Sequence, residues 1–168
     1  MGNIKKRNAV LIALLMAVAF FAAYAVTTSR ITARADAQTV KAWIICQPGD
    51  YVNAREAPST RSEKVGQLDA GDAIWITGKT KNGFAQIDAS FEVNVAWVHS
   101  GYIVFDEPEY IGGEMHKISS DGRVAARKRI AGDRRCWLSD GSTVKVYWRS
   151  AEWCVTDKGF VKTEFIGK

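Results

Sequence analysis

Tyr51-Val52-Asn53-Ala54-Arg55 returns seventy-two residues later as Arg123-Val124-Ala125-Ala126-Arg127. In both, a Val and an Ala two positions apart alternate with outward positions, and an Arg closes the stretch. That period of two belongs to a strand with one buried face. Two further matches follow in the same order. Leu68-Asp69-Ala70-Gly71-Asp72, with Ile74 and Ile76 behind it, returns at an offset of 70 as Leu138-Ser139-Asp140-Gly141-Ser142, with Val144 and Val146. Ala96-Trp97-Val98 with Tyr102-Ile103 returns at an offset of 63 as Gly159-Phe160-Val161 with Phe165-Ile166. Chance supplies any one such match; three in order make a repeat. The falling offsets mean deletions, chiefly in the hairpin around Asp88–Asn94.

Working outward, the strand signals are short and dense. Val40 through Cys46 is β-rich, and Gln47-Pro48-Gly49-Asp50 is a turn, since Pro presets φ and Gly tolerates positive φ. Lys81-Asn82-Gly83 offers an Asn-Gly hairpin turn before Phe84. No segment after Thr39 keeps helical spacing for long. Five or six strands of four or five residues argue for a small barrel, because a flat sheet of that size leaves both edges open. The expected fold is all-β: two small, partly open barrels, residues 38–105 and 118–168. Residues 106–117, with Asp106-Glu107-Pro108 and Gly112-Gly113, read as the linker.

The first 37 residues are different. Lys5, Lys6 and Arg7 precede Ala9–Val26, eighteen residues without a charge. A basic start and an apolar run present a chain to an export machinery. As a helix the run spans roughly 27 Å, marginal for a hydrocarbon core about 30 Å thick. Small-residue triplets follow, among them Ala35-Asp36-Ala37. A cleaved signal peptide and an uncleaved membrane anchor both fit, and either leaves the remainder extracytoplasmic. Beyond residue 37 the chain holds 18 basic and 17 acidic residues, so the basic character of the whole mostly reflects the leader. A general polyanion-binding role, nucleic acid included, loses its support. With three cysteines, at most one pair forms within a monomer, and no Cys-x-x-Cys or His-Cys cluster suggests a metal site. No cofactor is expected.

These residues resemble the bacterial SH3-like (SH3b) domain family of exported, wall-associated proteins. Val52-Asn53-Ala54-Arg55 stands where that family has an aliphatic-Asn-aliphatic-Arg strand, Pro58-Ser59 for its Pro loop, and Gly71-Asp72 for its Gly-Asp turn. Ala96-Trp97-Val98 with Tyr102-Ile103 matches its closing Gly-Trp-Val and Tyr-Leu. Phe84 replaces a usual Trp and Ala96 a usual Gly; both keep the apolar character. The second copy is weaker, with Ala125 for the Asn and Phe160 for the Trp. The resemblance implies SH3-like barrels that bind cell-wall peptidoglycan, its peptide bridges or another envelope protein. The fold itself names a kind of job and no particular ligand.

Alternation assigns candidate site residues. With Ile74 and Ile76 inside, Trp75 faces out, toward a ligand or toward the neighbouring repeat. Asn53 and Arg55 also face away from Val52 and Ala54. Their functional reading is hydrogen bonding to a peptide or carboxylate. Their structural reading is a turn cap for Asn53 and a pairing of Arg55 with Asp69 or Asp72. Trp97, Tyr102 and Phe84 are expected to fill the barrel. The halves differ in charge: residues 38–108 carry 6 basic and 9 acidic groups, residues 109–168 carry 12 and 8. Arg127, Lys128, Arg129, Arg134 and Arg135, with Arg123, form a candidate anion-binding face for wall polymers or lipid headgroups; inter-repeat attraction would use the same charges. Cys136 and Cys154, expected on neighbouring strands, are a candidate disulfide, with free buried thiols the alternative.

A hydrolase built on this chain has little to draw on. A cysteine nucleophile needs an imidazole base, and only His99 and His116 are present. Neither Cys46-Gln47 nor Cys154-Val155 opens a recognisable catalytic helix, and paired glycosidase carboxylates need a larger cleft. The sequence therefore reads as a binding protein and not an enzyme.

Overall fold

The computed structural model describes residues 39–88 and 95–167, all within one compact unit, Gln38–Lys168. The expected leader lies outside the described residues. Among those that are described, no helix is long and apolar enough to cross a membrane.

The chain is all-β. Strands β1 (Val40–Ile44), β2 (Tyr51–Arg55), β3 (Lys64–Asp69), β4 (Ala73–Lys81), β5 (Phe84–Asp88), β6 (Val95–His99) and β7 (Ile103–Val104) make a sheet in the order β3-β2-β6-β5-β4-β1-β7. Strands β8 (Glu109–Lys117), β9 (Arg123–Arg127), β10 (Arg134–Ser139), β11 (Thr143–Arg149), β12 (Trp153–Thr156) and β13 (Gly159–Lys162) make a second, ordered β10-β9-β13-β12-β11-β8. Position for position this is the first order without β7, whose place is taken by a single bridge between Ile118 and Ile166. Three-residue 3-10 turns sit at Ser100–Tyr102 and Thr163–Phe165.

The repeat is carried in the cores. Ile44, Val52, Ala54, Leu68, Ile74, Ile76, Val98 and Ile103 cluster in the first barrel. Ile118, Val124, Ala126, Leu138, Val144, Val146, Val161 and Ile166 occupy the corresponding positions in the second. The backbone closes each barrel in the same way. Ile44 donates to Asp72 and accepts from Gly71, while Ile118 donates to Ser142 and accepts from Gly141.

Residues 106–117 are not a linker, because β8 occupies most of them and pairs with β11 along its length. The sequence hid this strand in two ways. Gly112 and Gly113 look like a turn but form a bulge at positive φ (76° and 87°), where β8 holds residues in excess of its partner. As an edge strand β8 also buries little, with Tyr110 and Met115 exposed. The second barrel therefore begins at Glu109, not residue 118.

A third cluster joins the barrels. Ile45 and Val104 of the first meet Trp153, Val155 and Phe160 of the second, flanked by Trp43, Tyr102, Ile130 and Trp148. Tyr102 and Phe160 rings meet edge-on at 6.0 Å. Ile130 N–H donates to the Gly101 carbonyl at 2.9 Å, and Gln47 Nε2 to that of Thr156 at 3.1 Å.

Candidate functional site

Alternation along β2, β6 and β5 turns Val52, Ala54, Ala96, Val98, Ala85 and Ile87 into the first core. Asn53, Arg55, Trp97 and Gln86 are thereby left together on the opposite face. Trp97 lies across from Arg55 on one side and Gln86 on the other. Trp97 is thus half-buried on an outer face and absent from the barrel interior. Phe84 is buried on that same side, against His99, and Tyr102 alone touches the interior from its edge. The first core is aliphatic because seven short strands leave room only for small and branched side chains.

Arg55 does not pair with Asp69 or Asp72. Its Nη1 donates to the Ser62 carbonyl at 2.6 Å and so fastens the loop 56–63, which Glu56 N–H closes on Glu63. The Asp72 carboxylate instead accepts the Asp69 N–H at 2.8 Å. Asn53 caps nothing: its Oδ1 is buried and has no hydrogen-bond partner among the described residues. Such an acceptor is costly to leave unmet, which favours any incoming N–H donor. Gln86 is held by the Thr77 hydroxyl, which donates to Oε1 at 2.8 Å. The face offers a ligand an indole and the flank of a fixed guanidinium, with the unmet Asn53 oxygen buried on the same strand as Arg55.

Trp75 faces out as alternation requires, 47% exposed between buried Ile74 and Ile76. Its cross-strand partners are Lys41 and Asp88, and β5 and β6 stand between its strand and β2. It belongs to a separate stripe from Asn53 and Arg55.

The basic run disperses. Arg127 repeats the task of Arg55, donating from Nη1 to the Gly132 carbonyl at 2.8 Å. Arg129 packs its stem beside Gly101 of the first barrel. Arg134 lies across from Arg127 and stacks over Trp137, 4.5 Å from the ring centroid. Lys128 and Arg135 are exposed. Only Arg127 and Arg134 come together, so there is no single face of five cations. Trp137, which the reading of candidate residues missed, was accessible by the rule that found Trp75: its neighbour Leu138 points inward.

Cys136 and Cys154 are not on neighbouring strands, since β9 and β13 separate β10 from β12. All three cysteines are free thiols. Burial, and then the Asp50, Asp69 and Asp72 carboxylates, push the Cys46 thiol up to about 11. Among the described residues no group of three or more metal-binding side chains converges. Both imidazoles have structural tasks. His99 Nδ1 accepts the Gly101 N–H at 3.0 Å, and His116 Nδ1 lies 3.0 Å from the Gly167 carbonyl. Burial, reinforced by the Arg129 charge, holds the His99 pKa below its usual value.

Comparison of the sequence with curated proteins finds no match. Among solved structures, NlpC1 from Trichomonas vaginalis aligns at 12% identity, covering 78% of this chain and 46% of that one, with a TM-score of 0.33. NlpC2 from the same organism aligns at 14% identity over 78% and 48%, with a TM-score of 0.29. The chain spans about half the length of either protein. The family model for the bacterial SH3 domain matches residues 50–104, from the start of β2 to the end of β7. That stretch carries most of the aliphatic core, the Arg55-fastened loop and the Trp97 face, and it is the part of the chain that is similar to the bacterial SH3 domain family.

Proposed function

We propose that this chain is an exported, non-catalytic binding protein that recognises peptidoglycan through the Asn53–Arg55–Trp97 face of its first barrel. The observation that carries the reading is the buried, unmet Asn53 Oδ1 on the strand that sets Arg55 against the half-buried Trp97. A glycan bearing short peptides supplies the N–H donors, carboxylates and apolar surfaces that such a face accepts. The non-catalytic reading leans on the two imidazoles, each engaged by a backbone group. Export rests on the basic start and apolar run of residues 1–26.

The test is a sedimentation assay of the purified chain with cell-wall sacculi. Asn53→Ala and Trp97→Ala should each weaken retention about tenfold, the scale of an interface anchor. Equal retention of both variants and the parent would overturn the site. A reporter fused after residue 37 should act outside the cytoplasmic membrane, and Leu14→Asp with Leu15→Asp should hold it in the cytoplasm. The second reading, an adaptor for another envelope protein, is favoured by one observation, a groove of the second barrel lined by Arg123, Arg127, Trp137 and Phe165.

A further inference from the structure

A groove of the second barrel has about 540 Å³ of space. Its walls include Arg123, Arg127, Trp137, Trp153, Lys162 and Phe165. The floor is aromatic: Trp153 is nearly buried, Phe165 half-buried, and Trp137 stays 49% exposed although Arg134 covers one side of it. The rim is cationic. Arg123 and Arg127 sit four residues apart on β9, roughly 13 Å along an extended strand. Arg134 lies across from Arg127. Among the described residues neither Arg123 nor Arg134 has an acidic group within ion-pair distance. The one carboxylate in the wall, Glu164, is engaged by Lys162 at 3.4 Å.

From this juxtaposition we propose that the second barrel holds a separate binding site for an acidic peptide segment with apolar anchors. The charge pattern calls for an anion, because guanidinium groups without acidic partners are complementary to carboxylates. The floor calls for more than charge. A bare phosphate polymer has nothing to set against two indoles and a phenyl ring, whereas an extended peptide places carboxylates on one side and apolar side chains on the other. A flat anionic membrane surface cannot reach the floor of a concave groove. Every residue of this site lies in the second barrel, so it stands or falls independently of the Asn53–Arg55–Trp97 face.

The test is fluorescence anisotropy on the full chain with a labelled peptide that alternates Glu with Leu and Trp. The control peptide has the same charge, with Ser at the apolar positions. The apolar peptide should bind at least tenfold more tightly than the control. Arg123→Glu with Arg134→Glu should weaken it by tenfold or more, and Trp137→Ala by about tenfold. Lys128→Glu with Arg135→Glu, an equal charge change outside the groove, should have little effect. Equal binding of the two peptides, an equal loss in Lys128→Glu with Arg135→Glu, or displacement by inorganic polyphosphate at the same charge concentration would each overturn the proposal. So would tighter binding to phosphatidylglycerol vesicles than to the peptide. A circular dichroism melt of each variant separates lost binding from lost fold.

Discussion

The two barrels are built on the same sheet order and the same core positions, yet they use one equivalent face for opposite purposes. In the second, the outward side of β12 and β13 carries Trp153, Val155 and Phe160, and the end of the first barrel covers it. In the first, the same positions hold Phe84, Gln86 and Trp97, with the indole half-exposed. The first barrel docks through Ile45 and Val104, and the corresponding residues at the end of the second are Ser119 and Gly167. Those offer no apolar surface to another copy. Two sheets of the same strand order thus differ at a few outward positions, which make one face a docking surface and leave the other open.

The largest test of that contrast is Phe160→Ala. This ring is 1% exposed at the junction, and its loss should cost about 3–5 kcal/mol in denaturant unfolding. Trp97→Ala, at the equivalent position, should cost about 1 kcal/mol or less. Equal costs would break the distinction between covered and open faces.

The loop clasps should behave alike. Arg127→Ala and Arg55→Ala each remove a charged donor from a backbone carbonyl, about 1.5 kcal/mol. Amide exchange should accelerate in residues 128–133 for the first and 56–63 for the second. Acceleration in only one loop would show that the repeat does not extend to this clasp.

His99 links the contrast to pH. Burial and then Arg129 lower its pKa in the folded chain, so folding favours the neutral imidazole. Its contribution is full above the unfolded value near 6.5 and is lost as the pH falls below that, until the folded pKa is passed. Melting temperatures from pH 7.5 to 5.5 should fall more steeply for the parent than for His99→Asn. The Asn keeps an acceptor for the Gly101 N–H and does not titrate. Parallel slopes would remove His99 from the account.

The smallest effect should come from Trp75→Ala, within about 0.5 kcal/mol of the parent, since half of the indole already lies in water. A large loss would mean that its stripe is structurally occupied.

How much was legible varies with the kind of fact. The repeat, the all-β class and the inward set Val52, Ala54, Ile74 and Ile76 followed from period-two alternation, because a strand has only two faces and one must be dry. The same rule, applied to Ala96 and Val98, would have turned Trp97 outward; the pull of a large ring toward a core obscured it. The strand at Glu109–Lys117 escaped because an edge strand buries little and a Gly-Gly bulge is written like a turn. Strand order was out of reach as well, and with it the separation of Cys136 from Cys154. Pairings across tens of residues depend on how barrels close and not on local pattern.

Sequence by itself determined which residues face the same way along each strand, since alternation is local. Tertiary structure alone decided which faces meet: that Arg55 and Arg127 clasp loops and not carboxylates, that Arg129 turns to the other barrel, and that Arg123 and Trp137 line one groove. Those outcomes depend on distances between strands far apart in the chain, fixed only when the two aliphatic cores and the aromatic junction between them form together.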